Sequence, residues 1–335
     1  MVIKMTFKNI QYIIYFFIFT LISCEDVITV DLATGRPQIV VDGWINNKFE
    51  TQKIRLVSTT GYFNSDAPPY VENATVKIHN LVNNTTMDFT YDKDGYYTWT
   101  PATLADTLLV RQRPSDFDRD SDGLYNNYYR LEVTAEFTGV DVHFEAFTSL
   151  ERTPVIDSLT FKTQVASDDY PEVIYGELWA KDFAGPADCY WIKTWKNDSL
   201  LNKSNEMSLA FDITPGRSDY GDVIKEDTYF IPPVRNSINP RLSDDEQEAK
   251  KPLYQINDSV YCEIHSMTEN AFDFMSQAKS QMSNGGLFAT PLANVPSNIL
   301  ALDSKSDGLV VGVFCGSAIS SKGFRIKTKP PYEEK

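Results

Sequence analysis

The residues best suited to chemistry form one short acidic run, Asp116-Phe-Asp118-Arg-Asp120-Ser-Asp122-Gly123. From Asp118 the spacing is D-x-D-x-D-G, which sets alternate carboxylates around a tight turn whose glycine accepts positive φ. Oxygen ligands so arranged suit Ca²⁺, which takes roughly six to eight of them. The carbonyl of Leu124 and the side chain of Asn126 add further oxygens. An EF-hand loop carries a bidentate glutamate at its last position, whereas here Tyr129 stands there and the flanks are β-rich; Glu132 on the next strand offers a substitute. Two readings stand: a Ca²⁺ loop built on Asp118, Asp120, Asp122, Leu124 and Asn126, or a solvated acidic loop that binds no metal. No other cofactor is expected.

The second reactive group is Cys24. Lys4 and Lys8 precede an apolar run that ends in Leu21-Ile22-Ser23-Cys24, directly before Glu25-Asp26. A positive n-region, a short apolar stretch and a small residue before the cysteine make the pattern of a bacterial lipoprotein signal peptide. Such a run is too short to span a hydrocarbon core about 30 Å thick. Cleavage before Cys24 leaves a thiol and an amine that can carry acyl chains, each buried methylene contributing roughly 0.8 kcal/mol. Lipidation of Cys24 would then tether the protein to a membrane; the alternative is an uncleaved anchor helix.

Other candidates are weaker. His79, His143 and His265 each fall on the polar parity of an alternating run and are expected to face solvent or a partner. Cys189, Cys262 and Cys315 lie in apolar runs and read as free, buried hydrophobes, although one disulfide is possible among them. The sequence contains no G-x-S-x-G, H-E-x-x-H, P-loop, G-x-G-x-x-G or C-x-x-C. No enzyme class is therefore indicated, and a glycosidase carboxylate pair is defined by a spatial separation that sequence does not reveal. Tyr96-Tyr97-x-Trp99, Tyr125-x-x-Tyr128-Tyr129 and Trp179, Trp191 and Trp195 offer flat faces for sugar rings or protein partners, but on strands such side chains serve equally as core.

The elements that must position these groups are short. Lys and Arg number 31 against 46 Asp and Glu, a net charge of −15 that repels phosphate backbones and makes nucleic acid an unfitting partner. Strands are expected at 38–45, 53–58, 74–79, 96–99, 128–137 and 140–148, then at 156–165, 173–180, 189–196, 207–213, 223–231, 259–266, 309–317 and 324–328. Ser243-Asp244-Asp245-Glu246 fits a capping box, and one apolar face marks a helix over 268–283. The chain thus reads as mainly β: two antiparallel β-sandwich-like, Ig-like domains, the second with one helix, after the signal peptide. Expected bounds are 1–23 signal peptide, 24–36 lipidated linker, 37–152 N-terminal sandwich, 153–328 C-terminal β-rich domain and 329–335 a frayed tail.

Several landmarks in this order carry a resemblance. They include Ile39-Val40-Val41-Asp42-Gly43-Trp44-Ile45, Tyr129-Arg130-Leu131-Glu132-Val133, Tyr190-Trp191-Ile192-Lys193, Pro296-Ser297-Asn298-Ile299 and the run 308–314. With them the chain resembles the Bacteroidetes lipoprotein family DUF4249. The resemblance implies an outer-membrane lipoprotein, at the cell surface or on the periplasmic face, encoded beside TonB-dependent, SusC-like β-barrel receptors and without established enzymatic activity. Glu25-Asp26 resembles the surface-export signal of that phylum. The expected function is a non-catalytic accessory to such a barrel transporter. The alternatives are a stand-alone surface adhesin or glycan-binding module and an unrecognised hydrolase.

Overall fold

The structure is a computed structural model that describes residues 35–61, 64, 66–110, 128–165, 172–183, 188–211, 229–230, 232–283 and 295–333. The segment expected as a signal peptide, Cys24 and the 116–126 loop lie outside the described residues. Among those described, no helix is long and apolar enough to cross a membrane.

Alternation builds the first sheet. Its strands are β1 (Ile39–Asn46), β2 (Gln52–Ser58), β3 (Ala74–Asn80), β4 (Thr85–Tyr91), β5 (Tyr96–Trp99), β6 (Tyr129–Phe137), β7 (Val140–Thr148) and β8 (Leu150–Glu151), joined by β15 (Ile299–Ala301) and β16 (Val310–Ser317). Their order is β15-β7-β6-β3-β4-β5-β2-β1-β16-β8. One parity of each long strand points inward, so Ile39, Leu56, Ile78, Leu131, Phe144 and Phe314 share one core.

This sheet curls until side chains close it. The Asn298 amide donates to the Phe314 carbonyl (2.8 Å) and accepts from the Phe314 N–H (2.9 Å), standing in for a strand residue. Beside it, Ser297 Oγ donates to the Gly312 carbonyl (2.9 Å) and the Gly316 N–H donates to Thr148 Oγ1 (2.9 Å). Gly312 is required here: its φ is +123°, and a Cβ would lie 2.1 Å from the Val41 carbonyl oxygen.

The second sandwich sets a pair, β9 (Ile156–Gln164) and β10 (Val173–Ala180), against a sheet of order β12-β11-β14-β17, in which β13 also pairs with β11. These are β11 (Cys189–Lys196), β12 (Ser199–Leu200), β13 (Ser208–Phe211), β14 (Ser259–Met267) and β17 (Ile319–Arg325). Leu159, Phe161, Leu178, Tyr190, Ile192 and Ile264 fill the space between. The short helices α1 (Pro232–Arg235) and α2 (Asp244–Glu248) lie in the long connection before β14. Ser243 caps α2 as its sequence predicts: Ser243 Oγ accepts from the Glu246 N–H (3.3 Å), and the Glu246 carboxylate accepts from the Ser243 N–H (2.9 Å).

The long helix α3 (Glu269–Ser283) matches its expected span. Ala271 and Met275 pack with Val313, Cys315, Cys189 and Met267 in a third apolar cluster, while Met282 runs past it and is exposed. Among the described residues Cys189, Cys262 and Cys315 form no disulfide and are buried, with the Cys262 and Cys315 thiols each pushed by burial up to about 12.

Three allocations differ from the sequence reading. The 309–317 strand joins the first sheet, parallel to β1, because each of its faces meets a different core. The next strand starts at Ile319, earlier than expected, since Ala318 alone carries the chain from one sheet to the other. Residues 329–333 are not frayed: Thr163 N–H donates to the Pro331 carbonyl (2.8 Å) and Glu333 N–H to the Thr163 carbonyl (3.0 Å), laying this segment along β9.

The closure is open to test. Asn298→Ala leaves the N–H and C=O of the buried Phe314 without partners, a loss of about 2 kcal/mol, and Gly312→Ala forces an L-residue into left-handed backbone at a further cost of about 1–3 kcal/mol. Both are expected to lower the urea midpoint of unfolding, and an unchanged midpoint in either would show that the seam is not needed.

Candidate binding cleft

The outward parities of β1 and β11 carry both charged and aromatic residues. On β1 these are Asp42 and Trp44, which register with Arg55 and Lys53 of β2; Arg55 in turn registers with Tyr96 of β5. Across the second sheet the outward pairs are Trp191 with His265, Lys193 with Glu263 and Trp195 with Tyr261. The two faces meet at Trp44 and Trp191, whose rings contact edge to face at 5.3 Å.

One side of the junction is a closed network. Glu263 is ion-paired with Lys48, accepts from Tyr261 Oη (3.0 Å) and lies 2.8 Å from His265 Nε2. Burial works against the Glu263 carboxylate, but hydrogen bonds from His265 and Lys48 outweigh it and hold the group at about 2. Burial drives His265 down to about 4 against the pull of Glu263. The imidazole is therefore neutral at pH 7, with its one proton on Nε2 donated to Glu263. Elsewhere along the junction Arg152 makes a bidentate pair with the fully buried Asp188 (3.0 and 2.6 Å), and Ser266 Oγ donates to the Glu151 carbonyl (2.6 Å).

The other side is open. Asp42 is exposed, and desolvation by its surroundings raises its carboxyl above the usual range despite Arg55, a hydrogen bond from Trp44 and Lys193. Lys193 Nζ sits 3.9 Å over the Trp191 ring, and burial lowers its ammonium against the opposing pull of Glu263 and Asp42. Arg55 lies 5.2 Å over Tyr96 and 5.7 Å over Tyr70. The arrangement can hold a ligand by charge, hydrogen bonding and ring contact.

Sequence-predicted candidates are scattered around this cleft. Tyr96, Trp191 and Trp195 border it; Tyr97 and Tyr129 are core, and Tyr129 Oη accepts from the Leu109 N–H (2.6 Å). Trp179 lies elsewhere, under Arg235 (4.2 Å). His79 and His143 face outward and flank Glu132 at 2.9 and 3.5 Å. His265 departs from expectation: its parity is outward, but Trp191 and the Lys48–Glu263 pair cover it and leave it 7 % exposed. Asp118, Asp120, Asp122, Leu124, Asn126 and Cys24 lie outside the described residues. Among those described, no three metal-ligating side chains converge. Asp42, Lys193 and Glu263 were not singled out from sequence; their signal was a charge beside a tryptophan on an outward parity.

The network sets an acid limit. The unfolded chain protonates His265 near pH 6.5 and the folded chain only near 4, so this group's contribution to stability is lost as pH falls through that window. Glu263 acts with the same sign between about 4.5 and 2. Melting temperature is expected to fall from pH 7 to 4, and His265→Asn to flatten that limb; parallel curves would remove His265 as its cause.

Among solved structures the chain is similar to the chicken CNTN1 FN1-FN3 domains, at 11 % identity and a TM-score of 0.21, over 70 % of this chain and 61 % of that chain. It therefore spans about three fifths of that structure. No curated protein matches. The profile of a family described as "Domain of unknown function (DUF4249)" matches residues 25–323, a span that takes in both sandwiches and the cleft, and the chain belongs to that family.

Proposed function

We propose that this protein is a non-catalytic lipoprotein of the outer membrane, tethered at the cell surface by acyl chains on Cys24. It serves as an accessory to a TonB-dependent, SusC-like β-barrel and holds ligand or partner in the cleft between its sandwiches. The observation that carries this reading is the joining of the two sandwiches through the single residue Ala318 and the Lys48–Glu263 and Arg152–Asp188 pairs, with the cleft beside them. A cleft between elements so fixed suits capture better than a cycle of opening and closing.

The titratable groups support a non-catalytic role. Glu263 and His265 are committed to each other and to Lys48 and Tyr261, so neither is free to move a proton to or from a substrate. Membrane placement is supported by the residues around Cys24 and by the negative charge, which disfavours adhesion to anionic lipid and leaves anchoring to acyl chains. The Asp118–Asn126 loop enters with both its readings, a Ca²⁺ site or a solvated acidic loop that binds no metal.

Extraction of the outer membrane in mild detergent is expected to bring a large β-barrel with the protein at fixed stoichiometry. A chain that comes alone favours the adhesin alternative. Cys24→Ser is expected to leave the membrane fraction. For the loop, calorimetry should show saturable Ca²⁺ binding that Asp120→Ala abolishes; melting unchanged by millimolar Ca²⁺ would remove the metal from this reading.

A further inference from the structure

β17 is the last strand of its sheet, and its outer edge is open. The Ile326 N–H donates to the Asp258 carbonyl (3.0 Å) and the Ile326 carbonyl accepts from the Asn257 N–H (2.6 Å), which turns this residue toward β14. Alternation then points the N–H and C=O of Ser321, Gly323 and Arg325 the other way, where among the described residues no partner meets them. The Ile319 N–H, of the same parity, donates to Asn47 Oδ1 (2.9 Å) on that outer side.

Beside this edge lies a cavity of about 530 Å³, lined by Phe161 and by residues 323–331, a size within the roughly 300–1,000 Å³ of ligand sites. Phe324 stands opposite Val260 and so shares its core-facing side, yet it is 43 % exposed and stacks on Phe161 at 5.1 Å. The core is uncovered here. The far wall is fixed, because Thr163 Oγ1 donates to the Pro330 carbonyl (2.8 Å) and Lys329 is ion-paired with Glu172. At Gly323 the register is regular, φ lies outside the left-handed region, and a Cβ would meet nothing nearer than Tyr261 Cδ2 at 3.6 Å. Neither strain nor packing within this chain requires the glycine, and a bare strand residue suits close approach by another backbone.

Charge selects the occupant. Residues 308–332 include Lys322, Arg325, Lys327 and Lys329 and no Asp or Glu, in a chain of net charge −15, and among the described residues Arg325 and Lys327 make no ion pair. A second copy of this chain would bring the same cations to the same edge, and like charges set opposite one another are unfavourable. We propose that the β17 edge docks an extended acidic segment of a partner protein as an added strand. Its backbone pairs with Ser321, Gly323 and Arg325, apolar side chains of one parity cover Phe324 and Phe161, and carboxylates of the other lie beside Arg325 and Lys327. This edge is separate from the cleft and serves whether or not the cleft holds a ligand.

A terminally blocked, fluorescein-labelled peptide of Glu-Val repeats, titrated with the full-length protein in mild detergent, is expected to show a saturable rise in anisotropy that high salt weakens. N-methylation of the peptide on one parity, all glutamates or all valines, should lower affinity roughly tenfold, the scale of one or two hydrogen bonds, and spare it on the other parity. Gly323→Pro, which deletes an N–H on the open edge and none in the β14 ladder, should weaken binding to the same extent, as should Arg325→Ser combined with Lys327→Ser. The methylated peptides read the same contact on the unaltered protein. Absence of binding, equal affinity for the plain peptide and both methylated forms, equal affinity for a Lys-Val peptide, or self-association of the protein abolished by Gly323→Pro would each overturn the proposal.

Discussion

One extended segment, Val310 to Arg325, belongs to both sheets, and the arrangement of the molecule depends on it. As β16 it pairs in parallel with β1 over eight registered positions; as β17 it pairs antiparallel with β14. Ala318 makes the crossing, with its N–H donated to Ser266 Oγ and its carbonyl accepting from the Ser266 N–H. A strand with Phe314 in one core and Val313 and Cys315 in another cannot shift by one residue without exchanging the two sets. Register in both sheets is thereby fixed at once.

The polar contacts around this segment act on geometry more than on stability. Removing an ion from water costs several kcal/mol, and a buried pair recovers that only with good geometry and every remaining donor and acceptor matched. Glu263 meets that condition through Lys48, Tyr261 and His265, as does Asp188 through the Arg152 fork. These groups specify one way of seating the sandwiches. Asp42 and Lys193, on the same faces, make no ion pair among the described residues and meet Trp44 and Trp191 instead, and that contrast separates the scaffold from the face beside it.

Much of the scaffold was legible because the relevant information is local. Ile39 and Val41, or Leu131 and Val133, announce a strand with one buried parity, Ser243 and Glu246 announce a helix start, and Ala271 and Met275 a helix face. β4 was missed because only Met87 and Phe89 face inward in a stretch of threonines, and β15 because it is three residues long. The cleft was less legible for a different reason. Alternation shows that Asp42, Lys193 and His265 share the outward side of their strands, but whether outward means water depends on which sheets meet, and that is decided by β16 pairing with a strand at the other end of the chain.

The parallel pairing of β1 with β16 also has a consequence in time. The first eight-residue strand leaves the ribosome long before its neighbour at 310–317 is made, and contacts this distant in sequence form late and slowly. Until then the β1 edge that β16 will cover presents unpaired backbone groups, an open template for another strand. A fold closed from so far downstream becomes complete only after nearly all of it has been synthesised.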